Sequence, residues 1–207
     1  MNISPSLLHV YAVTDRQWLH GRTLDSQVRQ VLEGGATLVQ VREKCLGDQD
    51  FLEEARQIQA TCQEFGVPLI INDNLEVALA LGAGLHVGQS DTACREARKR
   101  LGDQAILGVS CATVQEALEA QEAGADYLGV GAVFPTSTKL DADWVKRETL
   151  QAICQAVSIP VVAIGGISLE NAATLAGTGI AGVAVVSALF AAPDPRAAAA
   201  SLAKIQY

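Results

Sequence analysis

The sequence predicts a single (β/α)8 TIM barrel, and three features carry this prediction. Short apolar runs alternate with helical patterns eight times along the 207 residues. The apolar runs are nearly continuous, as in parallel strands that are buried on both faces. A small-residue turn precedes a strand in GGATLVQV, LGAGLHVG, AGADYLGVG and TGIAGVAVV. Eight such units without a linker indicate one barrel domain over residues 1–207. An open doubly wound sheet is the alternative, but it usually has fewer strands at this length.

The expected strands are the eight apolar runs themselves. They are LLHVYAVT (7–14), TLVQVRE (37–43), VPLIIND (67–73), GLHVGQ (84–89), AILGVS (105–110), DYLGVGAVF (126–134), IPVVAIGG (159–166) and GVAVVSA (182–188). The expected helices lie between and after them: Leu24–Glu33, Asp50–Phe65, Leu75–Leu81, Thr92–Leu101, Thr113–Ala123, Trp144–Val157, Leu169–Ala176 and Pro195–Ile205.

The composition excludes several classes of protein. A net charge of −8 and a pI of about 4.8 argue against general binding to nucleic acids or membranes, which needs basic patches. The five cysteines form no C-x-x-C pair, so the sequence indicates neither a disulfide framework nor a zinc site. No signal peptide and no apolar run of about 18 residues is visible. We therefore expect a cytoplasmic protein with reduced thiols; the sequence does not indicate its oligomeric state.

Polar residues collect where the strands end, which is where barrel enzymes place their chemistry. In the second strand, Gln40, Arg42 and Lys44 alternate, so the strand period places them on one face. If that face is the barrel mouth, two cations and an amide converge there, which suits a diphosphate or another polyanion. The alternative is a solvated edge in which Glu43 pairs with a cation.

Two aspartates end neighbouring strands beside this trio. Asp73 follows the third strand and Asp91 follows the fourth. Mg²⁺ takes one or two carboxylates together with substrate phosphates, so the pair suits a magnesium site. The alternative is helix capping, because both residues precede helical patterns.

A second anion site is expected after the last two strands. Gly165-Gly166 and Val186-Ser187 match the phosphate-binding loops that many barrels carry there, although two tight turns would also require glycine. Between the two sites lies the stretch VFPTSTKLDA (133–142), where we expect Pro135 to end the sixth strand. Its three hydroxyls can donate to a phosphate, and Lys139 can reach a diphosphate. Two phosphorylated substrates and a departing diphosphate are therefore expected.

Six motifs, in this order, resemble the thiamine-phosphate synthase family over nearly the whole chain: VQVREK, IINDN, HVGQSD, GVS, ADYLGVGAVFPTSTKLDA and IPVVAIGGI. The proline- and hydroxyl-rich loop that ends in lysine is the most specific of them. The resemblance implies a (β/α)8 barrel that needs Mg²⁺. It also implies that 4-amino-2-methyl-5-hydroxymethylpyrimidine diphosphate and a thiazole phosphate are joined into thiamine phosphate and diphosphate. In the mechanism that the resemblance implies, diphosphate leaves first and the thiazole nitrogen captures the methylene cation that remains.

The resemblance also implies the site residues, which we give by their numbers in this chain. The pyrimidine diphosphate contacts are Gln40, Val41, Arg42, Glu43, Lys44, Asn72, Ser110 and Lys139. The thiazole phosphate contacts are Thr136, Ser137, Thr138, Gly166, Val186 and Ser187. Asp73 and Asp91 match the Mg²⁺ ligands. We expect Lys139, Ser110 and Arg42 to be the catalytic residues.

Two positions depart from the family pattern, and three other functions compete with this one. Asn74 stands where the family often has arginine, and Ala112-Thr113 stands where it often has His-Thr. One competing function is that of the thiazole tautomerase relatives, which lack the full loop. Another is a catalytically silent phosphate-binding or regulatory barrel. A third is a phosphosugar isomerase, for which Asp15 and His86 would be the acid and base, but we expect His86 to be a hydrogen-bonded histidine inside the barrel.

Overall fold

Eight parallel strands form a closed barrel in this computed structural model. The structure describes residues 3–19, 21–88, 91–135 and 144–207, with only the backbone at 91–93. The strands are β1 (Val10–Val13), β2 (Leu38–Val41), β3 (Leu69–Asn72), β4 (Gly84–Val87), β5 (Leu107–Cys111), β6 (Tyr127–Val130), β7 (Val161–Ile164) and β8 (Gly182–Val185). Each strand pairs with the next one, and β8 pairs with β1. The predicted (β/α)8 fold class is confirmed.

Helices follow the strands on the outside of the barrel. They are α1 (Leu24–Glu33), α2 (Asp48–Glu64), α3 (Leu75–Leu81), α4 (Asp91–Leu101), α5 (Val114–Glu122), α6 (Arg147–Ala156), α7 (Ser187–Phe190) and α8 (Pro195–Leu202). Short 3-10 helices occur at Pro5–Leu8, Arg16–Trp18 and Ala172–Leu175. Across the described ranges, no helix combines the length and the apolar character that a membrane span requires.

The strands divide the core into two layers because their side chains alternate between the two faces. Inside the barrel, Tyr11, Leu38, Ile70, Tyr127 and Val162 pack with one another. Ile3 and Leu8, which precede β1, join this inner cluster. The opposite faces of the strands pack against the helices and make up the larger outer cluster. Gln40, His86 and Ser110 are polar residues of the inner layer in the carboxyl-terminal halves of β2, β4 and β5, and this part supports the candidate site.

Several expected elements are wrong in extent, among them the following three. The first strand does not begin at Leu7, because Pro5–Leu8 forms a 3-10 helix. The sixth strand ends at Val130 and not at Pro135, since the chain bends there and its later N–H groups bond to the end of β7. Residues 169–176 contain no α-helix but only a 3-10 helix.

The last of these differences has a local cause. Asn171 donates from Nδ2 to the carbonyl of Gly166 at 2.9 Å and accepts the N–H of Ser168 through Oδ1 at 2.8 Å. A side chain that bonds to nearby backbone in this way competes with helix formation. The helical residue pattern from Leu169 onward therefore yields a turn followed by one short helical segment.

Candidate active site at the carboxyl end of the barrel

A chain of hydrogen bonds crosses the interior of the barrel. Gln40 Nε2 donates to Tyr11 Oη at 2.6 Å, and the hydroxyls of Tyr11 and Tyr127 lie 2.8 Å apart. Tyr127 Oη is 2.9 Å from His86 Nδ1, and His86 Nε2 is 2.9 Å from Ser110 Oγ. Two expected substrate contacts, Gln40 and Ser110, therefore stand at the two ends of one chain. His86 is a hydrogen-bonded barrel histidine, as expected.

Glycines on the neighbouring strands make room for the rings of Tyr127 and His86 in this chain. Gly108 lies beside Tyr127 in the register of β5 and β6, and a Cβ at Gly108 would overlap the tyrosine ring. A Cβ at Gly129 would come within 3.1 Å of His86 Cε1. Because the interior of an eight-stranded barrel is just wide enough for its side chains, large residues on some strands require small ones on others.

Burial keeps the two phenols in this chain neutral. Tyr11 and Tyr127 are 1% and 0% exposed, and desolvation raises the pKa of each phenol well above its usual value. Both rings therefore carry protonated hydroxyls at neutral pH. Burial also raises the pKa of the Cys111 thiol, next to Ser110, to about 12. This cysteine is therefore not an activated thiolate.

Arg42 lies just beyond β2, next to the end of β1. Its backbone N–H donates to Thr14 Oγ1 at 3.0 Å, and its guanidinium lies 3.9 Å from the Asp15 carboxylate. Each of these two charged side chains is 17% exposed. Because β2 ends at Val41, the expected strand alternation of Gln40, Arg42 and Lys44 is wrong after Gln40. Gln40 enters the barrel, whereas Lys44 lies exposed in the following loop.

The side chain of Glu43 organises this loop. Its carboxylate is 2% exposed, and Oε1 accepts the backbone N–H groups of Lys44 at 2.7 Å, Cys45 at 2.6 Å and Leu46 at 3.3 Å. Oε2 lies 3.6 Å from Nε of Arg16. The alternative interpretation, a solvated edge in which Glu43 pairs with a cation, is right about the pairing, but the Glu43 side chain itself is buried.

The side chain of Val41 lies outside the barrel interior, although Val41 is among the expected substrate contacts. Its side chain is buried in the outer cluster, between the strands and the helices. A contact from Val41 to a ligand in the barrel mouth would have to come from its backbone. Two of the five expected contacts from 40 to 44 thus use their side chains within the protein. Val41 packs in the outer cluster, and Glu43 accepts backbone N–H groups of its own loop.

Asp73 lies at the mouth with an exposed carboxylate and a left-handed backbone. Its φ is 60°, which is uncommon outside glycine but tolerated best by Asn and Asp. Asn72 Nδ2 donates to Asp73 Oδ2 at 2.6 Å, and the backbone N–H of Asp73 donates to the His86 carbonyl at 2.9 Å. Asn74, and not Asp73, caps α3 by accepting the N–H of Val77. The capping interpretation of Asp73 is therefore wrong.

The second expected metal ligand, Asp91, is the first residue of α4, and its side chain lies outside the described part of the structure. Within that part, no group of three or more His, Cys, Asp or Glu residues is placed to hold a metal ion. Mg²⁺ takes few protein carboxylates and completes its shell with phosphates and water. The exposed carboxylate of Asp73, which caps no helix, suits such a role.

The loops after β6 and β7 meet at the opposite side of the mouth. The N–H groups of Val133 and Phe134 donate to the carbonyls of Ile164 and Gly165 at 3.0 and 3.1 Å. Gly166 has a φ of 64°, and a Cβ on it would overlap the carbonyl oxygen of Pro135. Glycine is therefore required at 166 both by the backbone conformation and by the close approach of the β6 loop.

The remaining expected contacts are divided between a short helix and residues that the structure does not describe. Val186 is the N-cap of α7 and Ser187 is its first residue, so the first N–H groups of this helix lack intrahelical partners. Thr136, Ser137, Thr138 and Lys139 lie outside the described residues. Pro135 precedes the segment that contains them, and its carbonyl oxygen lies close to Gly166. Trp144 follows this segment, and its Nε1 donates to the Val133 carbonyl at 3.3 Å.

The two departures from the family pattern have structural roles. Asn74 caps α3 and donates from Nδ2 to Asp48 Oδ1 at 2.9 Å, which joins the starts of α2 and α3. Thr113 forms a capping box with Glu116 at the start of α5, and Glu116 also accepts the Ala112 N–H.

Comparison with known proteins identifies the family. The family model described as "Thiamine monophosphate synthase" matches residues 10–189. Thiamine-phosphate synthase of Ruminiclostridium cellulolyticum is 51% identical, over 95% of this chain and 94% of that protein. The enzyme of the same name from Clostridium novyi is 46% identical, over 95% of this chain and 97% of that protein.

The chain belongs to the thiamine monophosphate synthase family. A solved structure agrees with this assignment. Thiamine phosphate pyrophosphorylase from Pyrococcus furiosus superimposes with a TM-score of 0.89 and 39% sequence identity, over 97% of this chain and 96% of that one. The family resemblance predicted from six sequence motifs is thus confirmed.

Sequence reasoning missed two tyrosines and one asparagine near the site. Tyr11 and Tyr127 link Gln40 to Ser110, and Asn171 holds the turn that begins at Gly166. The tyrosines lie at inward positions of β1 and β6, but the residues of the same parity that follow them, Val13 and Gly129, are not polar and gave no signal. The asparagine gave no signal either, because it lies in a segment with a helical pattern.

Proposed function

We propose that this chain joins 4-amino-2-methyl-5-hydroxymethylpyrimidine diphosphate to 4-methyl-5-(2-phosphoethyl)thiazole, giving thiamine phosphate and diphosphate. The observation that carries the proposal is the match to relatives named thiamine-phosphate synthase over nearly the full length of both chains. The barrel mouth supports it, because Gln40, Arg42, Asn72 and Ser110 lie at the carboxyl ends of β2, β3 and β5 or just beyond them.

Loss of diphosphate is the step in which charge changes most. The bond between the methylene carbon and the diphosphate oxygen breaks with its electron pair on oxygen, so negative charge grows on the leaving group. Arg42, held next to the end of β1 by Thr14 and Asp15, is placed to bind this charge. Interactions that strengthen as charge develops lower the barrier more than they aid substrate binding. We assign Lys44 and Lys139 to the same task.

Mg²⁺ is the cofactor that fits this chemistry, with Asp73 and Asp91 as its protein ligands. When bound, it neutralises phosphate charge and thereby assists departure of the diphosphate. Asn72, which donates to Asp73, orients the carboxylate. The left-handed backbone of Asp73 is a local cost of a kind that is found at functional sites.

The thiazole phosphate is assigned to the side of the mouth formed by the loops after β7 and β8. Gly166, Val186 and Ser187 supply backbone N–H groups there, and Thr136, Ser137 and Thr138 supply hydroxyls. The thiazole nitrogen then donates its lone pair to the methylene cation, and no proton has to move in this step. We further propose that the protein works in the cytoplasm, where its five cysteines remain thiols.

The test is direct synthesis. Purified protein is incubated with both phosphorylated precursors, with and without Mg²⁺, and thiamine phosphate and diphosphate are quantified. We expect the two products in equal amounts, and only with both substrates and Mg²⁺. Equal rates with and without Mg²⁺ would contradict the metal assignment, and absence of thiamine phosphate under all conditions would contradict the function. The competing isomerase function is disfavoured, since Asp15 pairs with Arg42 and both ring nitrogens of His86 are hydrogen-bonded.

A further inference from the structure

Gln27, which has no part in the proposed mechanism, is a buried polar side chain between two segments at the carboxyl end of the barrel. It lies on α1 and is 0% exposed. Its Nε2 donates to the carbonyl of Trp18 at 2.9 Å and to the carbonyl of Phe190 at 3.2 Å. A main-chain carbonyl only accepts, so the amide nitrogen of Gln27, and not its oxygen, must face these two atoms. One side chain thus joins the segment after β1 to the segment after β8.

The segment after β1 is held in place by charge pairs. Trp18 is the last residue of the 3-10 helix that begins at Arg16. The Arg16 guanidinium pairs with Glu43 of the following loop, at 3.6 Å, and with Glu54 of α2. Asp15 caps this short helix through its side chain. The Trp18 carbonyl therefore offers a fixed point to which another element can be attached.

The segment after β8 cannot fix its own position. Its helix, α7, has only the four residues Ser187–Phe190. A helix of this length is not stable by itself, and its last carbonyls have no partners within the helix. Leu189 and Phe190 are 0% exposed, so apolar packing holds α7 against the barrel. Since apolar packing has no preferred direction, the hydrogen bond from Gln27 is the contact that sets where the end of α7 lies.

The beginning of α7 carries two residues that are assigned to the thiazole phosphate. Val186 is the N-cap of this helix and Ser187 is its first residue. Four helical residues rise only about 6 Å, so a shift of the Phe190 carbonyl reaches these residues almost undiminished. The position of the backbone N–H groups at Val186 and Ser187 consequently depends on a contact at the other end of the helix.

We propose that Gln27 is a positioning residue for the thiazole phosphate, because it fastens α7 to the fixed segment after β1. The N–H groups of Val186 and Ser187 are then in place before the substrate binds, which lowers the cost of ordering them. The inference rests on the proposed function and deepens it, since it names the side chain that prepares this phosphate site. Gln27 is fully buried and acts through α7, not by touching the substrate.

The first test is steady-state kinetics of Gln27→Met in both substrates. Methionine has a similar length and no donor, and the Gln27 Oε1 that is lost with the amide has no hydrogen-bond partner among the described residues. We expect KM for the thiazole phosphate to rise about 10-fold, as follows from two lost hydrogen bonds, and kcat and KM for the pyrimidine diphosphate to stay within about 2-fold. Gln27→Asn, whose shorter amide cannot reach both carbonyls, should shift the same KM and replaces Gln27→Met if that variant does not fold.

The matched control is a buried side chain that donates to a main-chain carbonyl at the opposite end of the barrel. Thr178 is 2% exposed, and its Oγ1 donates to the Leu175 carbonyl at 2.7 Å in the turn before β8. Thr178→Val should lower stability as Gln27→Met does, but it should leave both KM values unchanged. An equal rise of KM for the thiazole phosphate in Thr178→Val would show that only general stability matters, and would overturn the inference.

The second test is amide hydrogen exchange in the substrate-free protein, which does not depend on activity. The N–H groups of Phe190 and Ala191 bond to the carbonyls of Val186 and Ser187. Both amides should exchange several-fold faster in Gln27→Met than in the wild type, and at the wild-type rate in Thr178→Val. If the wild type makes thiamine phosphate but Gln27→Met changes neither these rates nor KM for the thiazole phosphate, the inference fails and the function stands; a change in only one of them also overturns it. A wild type that makes no thiamine phosphate would contradict the function, and the exchange rates would then decide by themselves whether Gln27 anchors α7.

Discussion

At Asp73 a single residue combines an unusual backbone with an exposed charge. Asparagine tolerates the same left-handed conformation, so Asp73→Asn removes the charge and leaves the backbone in place. If the carboxylate binds Mg²⁺, the Mg²⁺ concentration for half-maximal activity should rise at least about 10-fold in this variant and in Asp91→Asn, a size typical of a damaged metal site. Steady-state rates over a Mg²⁺ titration measure it. The control is Asp103→Asn, an exposed aspartate between α4 and β5. An unaltered Mg²⁺ dependence in both site variants would refute the assignment.

Two variants of Glu43 test whether this residue orders the loop after β2 or contacts the substrate. Glu43→Gln keeps an oxygen for the N–H groups of Lys44, Cys45 and Leu46, whereas Glu43→Ala removes it. Hydrogen bonds to charged groups contribute about 1.5–3 kcal/mol, so the alanine variant should raise KM for the pyrimidine diphosphate about 10-fold or more. The glutamine variant should retain most of the affinity. Equal losses in both variants would show that the charge of Glu43, and not its loop contacts, matters to the substrate.

At the scale of elements, the turn after β7 depends on one side chain. Asn171 joins the Gly166 carbonyl to the Ser168 N–H. Substitution of Gly166 itself would displace the backbone at Pro135, so Asn171 is the cleaner probe. Asn171→Ala should raise KM for the thiazole phosphate about 10-fold, as expected for two lost hydrogen bonds, and should change KM for the pyrimidine diphosphate little. Leu169→Ala, a 40% exposed residue of the same turn, is the control. A parallel rise in both KM values would argue against a thiazole phosphate site here.

The loop between β6 and α6 carries the lysine that the family resemblance singles out. Lys139→Ala should lower kcat by a factor of ~10²–10³ with a smaller change in KM, by analogy with the loss of one charge-stabilising donor. Steady-state kinetics in both substrates measure this, and Lys204→Ala, an exposed lysine after α8, is the control. Near-normal kcat in Lys139→Ala would show that the lysine is an ordinary surface residue.

Across the whole molecule, stability and chemistry are placed at opposite ends of the barrel. Arg98 of α4 reaches the amino-terminal ends of β5 and β6, where it pairs with the 4% exposed Asp126 at 2.6 Å and donates to the carbonyls of Gly102, Ala105 and Gly124. Removing one partner of a buried ion pair costs about 3–5 kcal/mol. Arg98→Ala should therefore lower the free energy of unfolding by about that amount and leave kcat/KM of the folded enzyme unchanged.

Urea denaturation and steady-state kinetics together test this separation. Arg196 forms a 3.7 Å pair with Glu33, and the two side chains are 65% and 38% exposed. Because exposed pairs contribute less than about 1 kcal/mol, Arg196→Ala should change stability little. A large loss of kcat/KM in Arg98→Ala at temperatures where the protein remains folded would show that the two ends are coupled.

The sequence by itself determined the order of the elements and most of the candidate site. Alternation of apolar runs with helical patterns predicts the barrel, because each strand and each helix is specified locally by its own periodicity. Polar residues at the ends of the runs, such as Arg42, Asn72 and Asp73, could be placed at the mouth for the same reason. The helical pattern after β7 predicted an α-helix that does not form, because the hydrogen bonds of one side chain, Asn171, stabilise a turn there.

Only the tertiary structure decided which polar groups meet. Tyr11, His86, Ser110 and Tyr127 come from four different strands, and their hydrogen bonds depend on the register and closure of the barrel. The role of Glu43 in ordering its loop and the capping role of Asn74 likewise depend on how loops fold back on themselves. Periodicity tells which face of a strand a residue occupies. Which partner it finds across the barrel depends on contacts between residues far apart in the sequence. Tyr11 and Tyr127, for example, are 116 positions apart, and no local pattern encodes such a contact.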